Sequence, residues 1–325
     1  MNHTKEKIKL DEILKFLFST SHKVLINLLN GVFEESLNAD DVELTITSNE
    51  FIDEDLGVYI GDMFFSILKS NSEKLSYHLE FQTKNDNTMV IRMFEYGYKK
   101  GKQESKTYDN VRTIYFPKQK VMFFEENKNI EDVLSLKIVF PNNKEVLYTV
   151  DVLKYWELTQ EYIIENKMYP LLPLQLFGLR KQLEKAQSKN DTKRLKELTY
   201  IAKKLAIKLA HESKEIFDND EILGEDFHKM LLAIQNLIEY LNVNYLQDDN
   251  IEKEVITMTK SLYDPEVEKK GLEQGLKQGI KQGAQQEKIE TVIRLNKLGL
   301  TIAQIAQGAD LNCEEVKKIL KSNIH

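Results

Sequence analysis

Apolar and polar residues follow different periods in successive parts of the chain. In the first forty residues the apolar positions lie three and four apart, as in DEILKFLF and HKVLINLLNGVF, which predicts two helices, the second with Ser21 as its N-cap. The period then falls to two in DVELTITSNEFI, GVYIGDMFFSIL and KLSYHLEFQT, a pattern typical of strands. The polar link NSEK between the last two segments predicts a hairpin.

Helical spacing returns after Gln82. The segment TMVIRMFEYGYKKG predicts a helix with Thr88 as a candidate N-cap and an end near Gly97 or Gly101. Strand patterns resume in VRTIYFP, KVMFF, LSLKIVF and VLYTVDVLKYWEL. A helix, antiparallel strands, a second helix and further strands together predict an α/β fold, in which helices flank the faces of a sheet.

Strand patterns are absent from the sequence beyond about Thr159. Apolar residues then recur at i, i+3 and i+4 over more than sixty residues, interrupted by the polar segments SKND and DNDEILGED. This part is predicted to be a helical subdomain. We expect it to pack on or beside the sheet, because Trp156, Tyr162 and Tyr169 need a surface that covers them.

The last part of the chain begins near Tyr263 and contains a glycine every four residues, in GLEQGLKQGIKQGAQQE. Glycine at this spacing lies along one stripe of a helix, which fits either a self-association surface or a fraying linker. Two short helices are predicted beyond it, the second capped by Asn312 with Glu315 at the capping-box position. They fit a helix-turn-helix or a small protein-contact bundle.

These patterns divide the chain into three predicted parts. Residues 1–158 form a sheet with flanking helices, residues 159–262 a helical subdomain, and residues 263–325 the glycine-repeat helix with a small C-terminal helical module.

Composition narrows the class of protein. The chain has 325 residues, of which 42% are hydrophobic and 30% charged, as in soluble globular proteins. No apolar run approaches the ~20 residues of a membrane span, and the N-terminus lacks the apolar stretch of a signal peptide. Cys313 is the single cysteine, which excludes an intrachain disulfide framework and a multi-cysteine zinc site. A cytoplasmic protein without a membrane partner is expected.

The charge distribution is uneven. The net charge of -7 argues against a protein that coats DNA through bulk electrostatics. Two stretches are nevertheless basic: seven basic residues face two acidic ones between Lys99 and Lys120, and ten face three between Arg180 and Lys208. Either stretch could follow a phosphate backbone or form an ordinary solvated surface.

The segment YHLEFQT carries the clearest candidate chemistry. Alternation directs Leu79 and Phe81 to one face of the strand and His78, Glu80 and Gln82 to the other. His78 is interpreted as a strand residue satisfied by its neighbours, because Mg²⁺ prefers oxygen ligands.

Asp62 is the second candidate acid. It falls in register with Phe64 on what should be a buried face of the preceding strand, where an ionised carboxylate is costly without a cation or donor. If the two strands pair, Asp62 converges with Glu80 and Gln82, and two carboxylates and an amide then surround a space suited to a hard divalent metal. That is the layout of a metal-dependent nuclease site.

The ordered set of motifs carries a family resemblance. A DEILKFLF helix, Asp62 on one strand, EFQ on the next, and a helix that contains Arg92 precede a glycine-repeat tail and a LGLTIAQIA unit. This set resembles the recombination-promoting nuclease and putative transposase family, which belongs to the PD-(D/E)XK nuclease superfamily. The resemblance implies a PD-(D/E)XK-nuclease-like mixed sheet flanked by helices, followed by a helical subdomain and a helical C-terminal tail.

The resemblance also assigns roles. Asp62 matches the metal-binding aspartate and Glu80 the acidic residue of the next strand, while Gln82 stands where the superfamily more often has lysine and the related family commonly has glutamine. The implied activity is endonucleolytic hydrolysis of DNA, linked to recombination or transposition. Mg²⁺, or Mn²⁺ in its place, would be held by Asp62, Glu80 and the carbonyl of Phe81, and Gln82 would orient water or phosphate.

Arg92 is a candidate DNA contact from the following helix, although pairing with Glu95 or Asp86 on the helix surface is the simpler interpretation. Two other functions stay open at this stage. The nuclease-like part could bind DNA without cleaving it, or the protein could act as a homo-oligomeric interaction partner through its C-terminal helices.

Overall fold

The computed structural model describes residues 12–48, 63–83, 88–263 and 283–322. Several sequence predictions concern residues outside these ranges, namely Asp62, Asp86, Gly271, Gly275 and Gly279.

The described residues contain eight strands, and six of them form one mixed sheet. The strands are β1 (Val42–Ser48), β2 (Met63–Lys69), β3 (Lys74–Gln82), β4 (Lys106–Tyr108), β5 (Val111–Thr113), β6 (Lys118–Phe123), β7 (Val133–Val139) and β8 (Glu145–Lys154). The order across the sheet is β1-β2-β3-β6-β8-β7. Neighbours among β1, β2 and β3 are antiparallel, β6 is parallel to β3 and β8, and β7 is antiparallel to β8. The predicted mixed α/β fold and the β2–β3 hairpin are confirmed.

Helices cover both faces of the sheet and make up most of the described chain beyond it. They are α1 (described over 12–17), α2 (His22–Phe33), α3 (Met89–Gln103), α4 (Gln160–Glu165), α5 (Arg180–Ser188), α6 (Thr192–Asp218), α7 (Gly224–Leu241), α8 (Asp249–Leu262), α9 (described over 283–297), α10 (Ile302–Ala309) and α11 (Cys313–Ser322). None of the helices within the described ranges is both long and apolar enough to cross a membrane.

One segment of the helical part is a 3-10 helix, Tyr169–Leu179, although its apolar pattern suggested an ordinary helix. Pro170 and Pro173 explain the difference. A proline has no backbone N–H to donate to the preceding turn, and its ring crowds the carbonyl four residues earlier.

Two apolar clusters lie on opposite faces of the sheet. On one face Leu79 and Phe81 of β3 are buried with α1 and α2, and the rings of Phe81 and Phe18 are 5.0 Å apart. On the other face Met93 of α3 packs in a smaller cluster with Val121 of β6. Helix α3 therefore covers the face that carries the polar side chains of β3.

The helical part packs on the sheet, as predicted. Residues of α5 to α8 share the larger apolar cluster with β2, β3 and β6, and the phenol of Tyr155 donates a hydrogen bond to the carbonyl of Leu171, 2.6 Å away. Tyr169 is buried and Trp156 is partly buried against the smaller cluster. Tyr162 differs from the expectation: it lies on the outer side of α4 with 45% of its surface exposed.

A buried carboxylate joins the N-terminal helices to the helical part. Ser21 occupies the N-cap position of α2, as predicted, but its hydroxyl donates to Asp226 Oδ2 at 2.6 Å and its backbone N–H to Asp226 Oδ1 at 2.6 Å. Asp226 lies in the first turn of α7, is 1% exposed, and also accepts from the N–H of Leu223 at 3.1 Å. One negative charge thus lies at the positive ends of two helix dipoles.

The glycines of α3 do not end the helix. It continues past Gly97 and Gly101 to Gln103, so the predicted helix end is six residues too early at Gly97 and two residues too early at Gly101. A Cβ at Gly97 would lie 2.6 Å from the ring of Phe116, and one at Gly101 would lie 2.7 Å from the carbonyl of Tyr115. The two glycines therefore allow the segment that follows β5 to lie directly against α3.

We expect Gly101→Ala to destabilise the protein by about 1–3 kcal/mol, because the methyl group meets a backbone carbonyl that cannot rotate away. The higher helix propensity of alanine returns at most about 1 kcal/mol. Urea unfolding followed by circular dichroism measures the difference. Gly178→Ala is the matched control, since no atom lies within 4 Å of that Cβ position. Equal stability of the two variants would show that the segment is not held against α3.

The C-terminal helices pack around a cluster of their own. Val292, Ile305 and Val316 are fully buried between α9, α10 and α11. The two short helices and the predicted capping box are confirmed: the N–H of Asn312 donates to Glu315 Oε2 at 2.8 Å, and the N–H of Glu315 donates to Asn312 Oδ1 at 2.9 Å.

Candidate functional site

Glu80 and Gln82 lie together on the face of β3 that α3 covers. Glu80 is 4% exposed and Gln82 is half-buried, and the Gln82 amide donates a hydrogen bond to Glu80 Oε1 at 2.7 Å. Leu79 and Phe81 point into the opposite cluster. The alternation read from EFQ is therefore correct, and it brings a carboxylate and an amide into contact.

The second oxygen of Glu80 is the unusual feature of this pair. Oε2 is buried and has no hydrogen-bond partner among the residues that the structure describes. Leaving a buried carboxylate oxygen unpaired costs on the order of 1–3 kcal/mol or more. A cation or a donor beside it would offset this cost, and a hard divalent metal, which prefers carboxylate and carbonyl oxygens, would suit this position.

Asp62 lies outside the described residues, so its convergence with Glu80 stays a prediction. The described part of β2 begins at Met63, which pairs with Leu79, and Phe64 pairs with His78. Within the described ranges no three His, Cys, Asp or Glu side chains are placed to hold a metal together. The metal ligand expected from the carbonyl of Phe81 also stays a prediction.

A polar network buries His78 on the same face. Its ring stacks on Phe64 at 4.1 Å and Nδ1 lies 2.9 Å from the amide nitrogen of Gln119. That amide also donates to the carbonyl of Met93 at 2.7 Å, and its oxygen accepts from the hydroxyl of Tyr148 at 2.5 Å. Burial raises the pKa of the Tyr148 phenol above its usual range, so the phenol keeps the proton that it donates.

The network assigns the tautomer of His78. An amide nitrogen carries two hydrogens, and because one goes to Met93, the other is directed at Nδ1 of His78. Nδ1 is then an acceptor and the ring proton lies on Nε2. The contact between Nδ1 and Gln119 fits the interpretation of His78 as a strand residue bonded to its neighbours.

Arg92 lies half-buried on α3, and its Nη2 group donates to the sulfur of Met89 at 3.7 Å. Its expected partner Asp86 falls outside the described residues. A DNA contact by Arg92 remains a prediction.

A charged cluster lies at the other end of the sheet face that α3 covers. Lys100 is 7% exposed, and its ammonium lies 3.2 Å from Glu104 and 6.0 Å from the centre of the Phe64 ring. Glu104 also contacts Lys74 at 2.9 Å and accepts from Ser76 at 3.2 Å. Burial alone would raise the pKa of Glu104, but the hydrogen bonds from Lys74 and Lys100 outweigh it and lower the pKa. Glu104 thus offsets the charge of the buried Lys100.

Sequence reasoning missed Gln119, Tyr148 and the Lys100–Glu104 pair. The signals were present but weak. Alternation in KQKVMF places Gln119 on the same face as Val121, where a buried amide needs partners. Lys100 and Glu104 are four residues apart, as helical ion pairs often are.

Comparison with known proteins agrees with the resemblance. A family model described as putative transposase, YhgA-like, matches residues 9–116, which is roughly a third of the chain. The match contains Asp62, Glu80, Gln82 and Arg92. No significant match was found among the curated proteins or the solved structures. Residues 9–116 are thus similar to the family of putative transposases described as YhgA-like.

Proposed function

We propose that this protein is a metal-dependent DNA endonuclease that hydrolyses phosphodiester bonds and serves DNA recombination or transposition. The observation that carries the proposal is the buried carboxylate of Glu80, whose Oε2 atom lacks a partner in the described part of the chain while Gln82 holds Oε1. Its location within the segment that matches a transposase family supports action on DNA.

The residues present fit a divalent metal. Glu80 would supply one ligand and Asp62 a second, because Asp62 directly precedes Met63, which pairs with the neighbour of Glu80. Bound Mg²⁺ or Mn²⁺ would lower the pKa of a coordinated water and neutralise charge on the scissile phosphate. Gln82 gives one amide hydrogen to Glu80, and its second amide hydrogen could orient the water or the phosphate.

Cleavage of supercoiled plasmid DNA tests the proposal. Full-length protein should convert the plasmid to nicked or linear forms with Mg²⁺ or Mn²⁺ and not with EDTA. Activity that persists in a Glu80→Gln preparation would come from a contaminant and would count against the proposal. Binding of DNA without cleavage would favour the alternative, a catalytically silent DNA-binding protein.

We further propose that residues 263–325 serve self-association and are not needed to build the site around Glu80. The separate cluster of Val292, Ile305 and Val316 supports this division. A chain ending at Tyr263 should still bind Mn²⁺ in a titration that Glu80→Gln suppresses, but should sediment as a smaller species than the full-length chain. A folded truncated chain that no longer binds the metal would contradict the proposal.

A further inference from the structure

Strands β4 and β5 form a two-stranded ribbon apart from the main sheet. They are joined by Asp109 and Asn110, whose φ angles of 47° and 63° give the two-residue turn of a tight hairpin. Five of the six ribbon residues are exposed, and Thr113 is half-buried. A lone two-stranded ribbon is at best marginally stable in water, so the protein must hold it from its base.

The base of the ribbon is held firmly. The ring of Phe116, just after β5, lies 5.4 Å from the ring of Phe94 and 6.0 Å from the ring of Tyr148. Gly97 and Gly101 allow this segment to approach α3 closely, as described above. The ribbon therefore projects from a fixed point, while Tyr108 and Val111 stay 53% and 64% exposed.

Within the basic stretch between Lys99 and Lys120, exposed cations without an ion pair in the described chain lie on or beside this ribbon. The basic stretch between Lys99 and Lys120 has three lysines bound to carboxylates: Lys100 to Glu104, Lys118 to Glu35 and Lys120 to Glu34. In contrast, Lys102, Lys106 and Arg112 are exposed and form no ion pair with any described residue. The ribbon itself therefore presents Lys106 and Arg112 without a carboxylate from the described ranges beside them, which favours an anionic partner.

Cross-strand pairing distributes the cations over both faces of the ribbon. Lys106 pairs with Thr113 and shares its face with Tyr108, whereas Arg112 pairs with Thr107 and lies on the other face. The turn carries the acidic Asp109, which disfavours phosphate at the tip. An anionic partner is therefore expected along the two flanks.

We propose that the β4–β5 ribbon enters a groove of duplex DNA, with Lys106 and Arg112 on the phosphates of the two flanking strands and Tyr108 against the groove wall. A two-stranded ribbon fits the major groove, which is ~12 Å wide. The inference rests on the proposed function in taking DNA as the substrate. It assigns the substrate contact to a surface separate from Glu80.

Anisotropy of a short fluorescent duplex tests the inference with full-length protein in EDTA, over a series of salt concentrations. The double variant Lys106→Ala/Arg112→Ala should bind roughly 30-fold more weakly at ~0.15 M salt, because each lost phosphate contact flattens the slope of log K against log salt by about 0.9. The matched control is Lys253→Ala/Lys260→Ala, which removes two exposed lysines from α8. It should leave the affinity for the duplex and the slope of log K against log salt unchanged.

The outcomes separate this inference from the proposed function. Unchanged affinity and slope in the ribbon variant overturn the inference, even if the wild type cleaves plasmid. A wild type that binds no duplex overturns it as well and leaves the ribbon to a protein partner. A wild type that binds through the ribbon but does not cleave with Mg²⁺ or Mn²⁺ supports the inference and overturns the endonuclease. Thermal unfolding must be the same for all variants, which is expected because every substituted residue is exposed.

Discussion

Glu80→Gln is expected to reduce Mg²⁺-dependent plasmid cleavage by about 10³-fold, because a catalytic metal contributes several kcal/mol of transition-state stabilisation and the amide is a poor ligand for it. The fold should not suffer. The substitution removes a buried charge whose Oε2 atom has no partner within the described residues, and an amide oxygen can still accept from Gln82. Cleavage rates and thermal unfolding of the same preparations measure both effects.

Other carboxylates provide the comparison. Asp62→Asn should lose cleavage to a similar extent, and Gln82→Ala should lose less. Glu104→Gln is the matched control: Glu104 is a partly buried glutamate at the C-terminal end of α3, but Lys74 and Lys100 already engage it. Its substitution should lower stability and spare cleavage. If Glu80→Gln unfolds the protein, or cleaves at the wild-type rate, Glu80 is not a metal ligand in catalysis.

Asp226→Ala is expected to lower the free energy of unfolding by about 3 kcal/mol, the largest effect on stability among the substitutions considered. It removes three hydrogen bonds to a buried charge, leaves the N–H and hydroxyl of Ser21 without their acceptor, and takes a negative charge from the ends of two helices. Urea unfolding gives the value.

The neighbouring Glu225→Ala is the control for this prediction. Glu225 lies in the same turn of α7, and its pair with Lys229 is on the surface, with the glutamate side chain 74% exposed. We expect a loss below about 1 kcal/mol there. Similar losses for the two variants would mean that Asp226 does not connect the helices. Ser21→Ala, alone and combined with Asp226→Ala, would isolate the contribution of the hydroxyl contact.

The features of the fold that could be predicted from the sequence depend on residues close to one another along the chain. The alternation around Glu80 was informative because one face of β3 lies in the apolar core, so a shift of one residue would bury the polar side chains in it. The capping box of Asn312 and Glu315 could also be predicted, because both partners lie within one turn.

The parts that sequence missed depend on distant segments. Gly97 and Gly101 suggested a helix end because glycine often stops helices, but their role is set by Phe116 and Tyr115, which approach them only in the folded protein. The position of Ser21 was read correctly as an N-cap, whereas its partner Asp226 lies 205 residues away. Periodicity carries no information about such a contact.

The contact between Ser21 and Asp226 can form only after the ribosome has synthesised the chain as far as α7. At about 5–20 residues per second, a ribosome needs ~10–40 s to proceed from Ser21 to Asp226. During that interval the start of α2 lacks its acceptor, and the apolar side of the helix, including Leu25 and Leu28, lacks the later helices that share its cluster. The sheet with its N-terminal helices is therefore translated before α7, which completes its packing, and these apolar residues stay without that cover until α7 emerges.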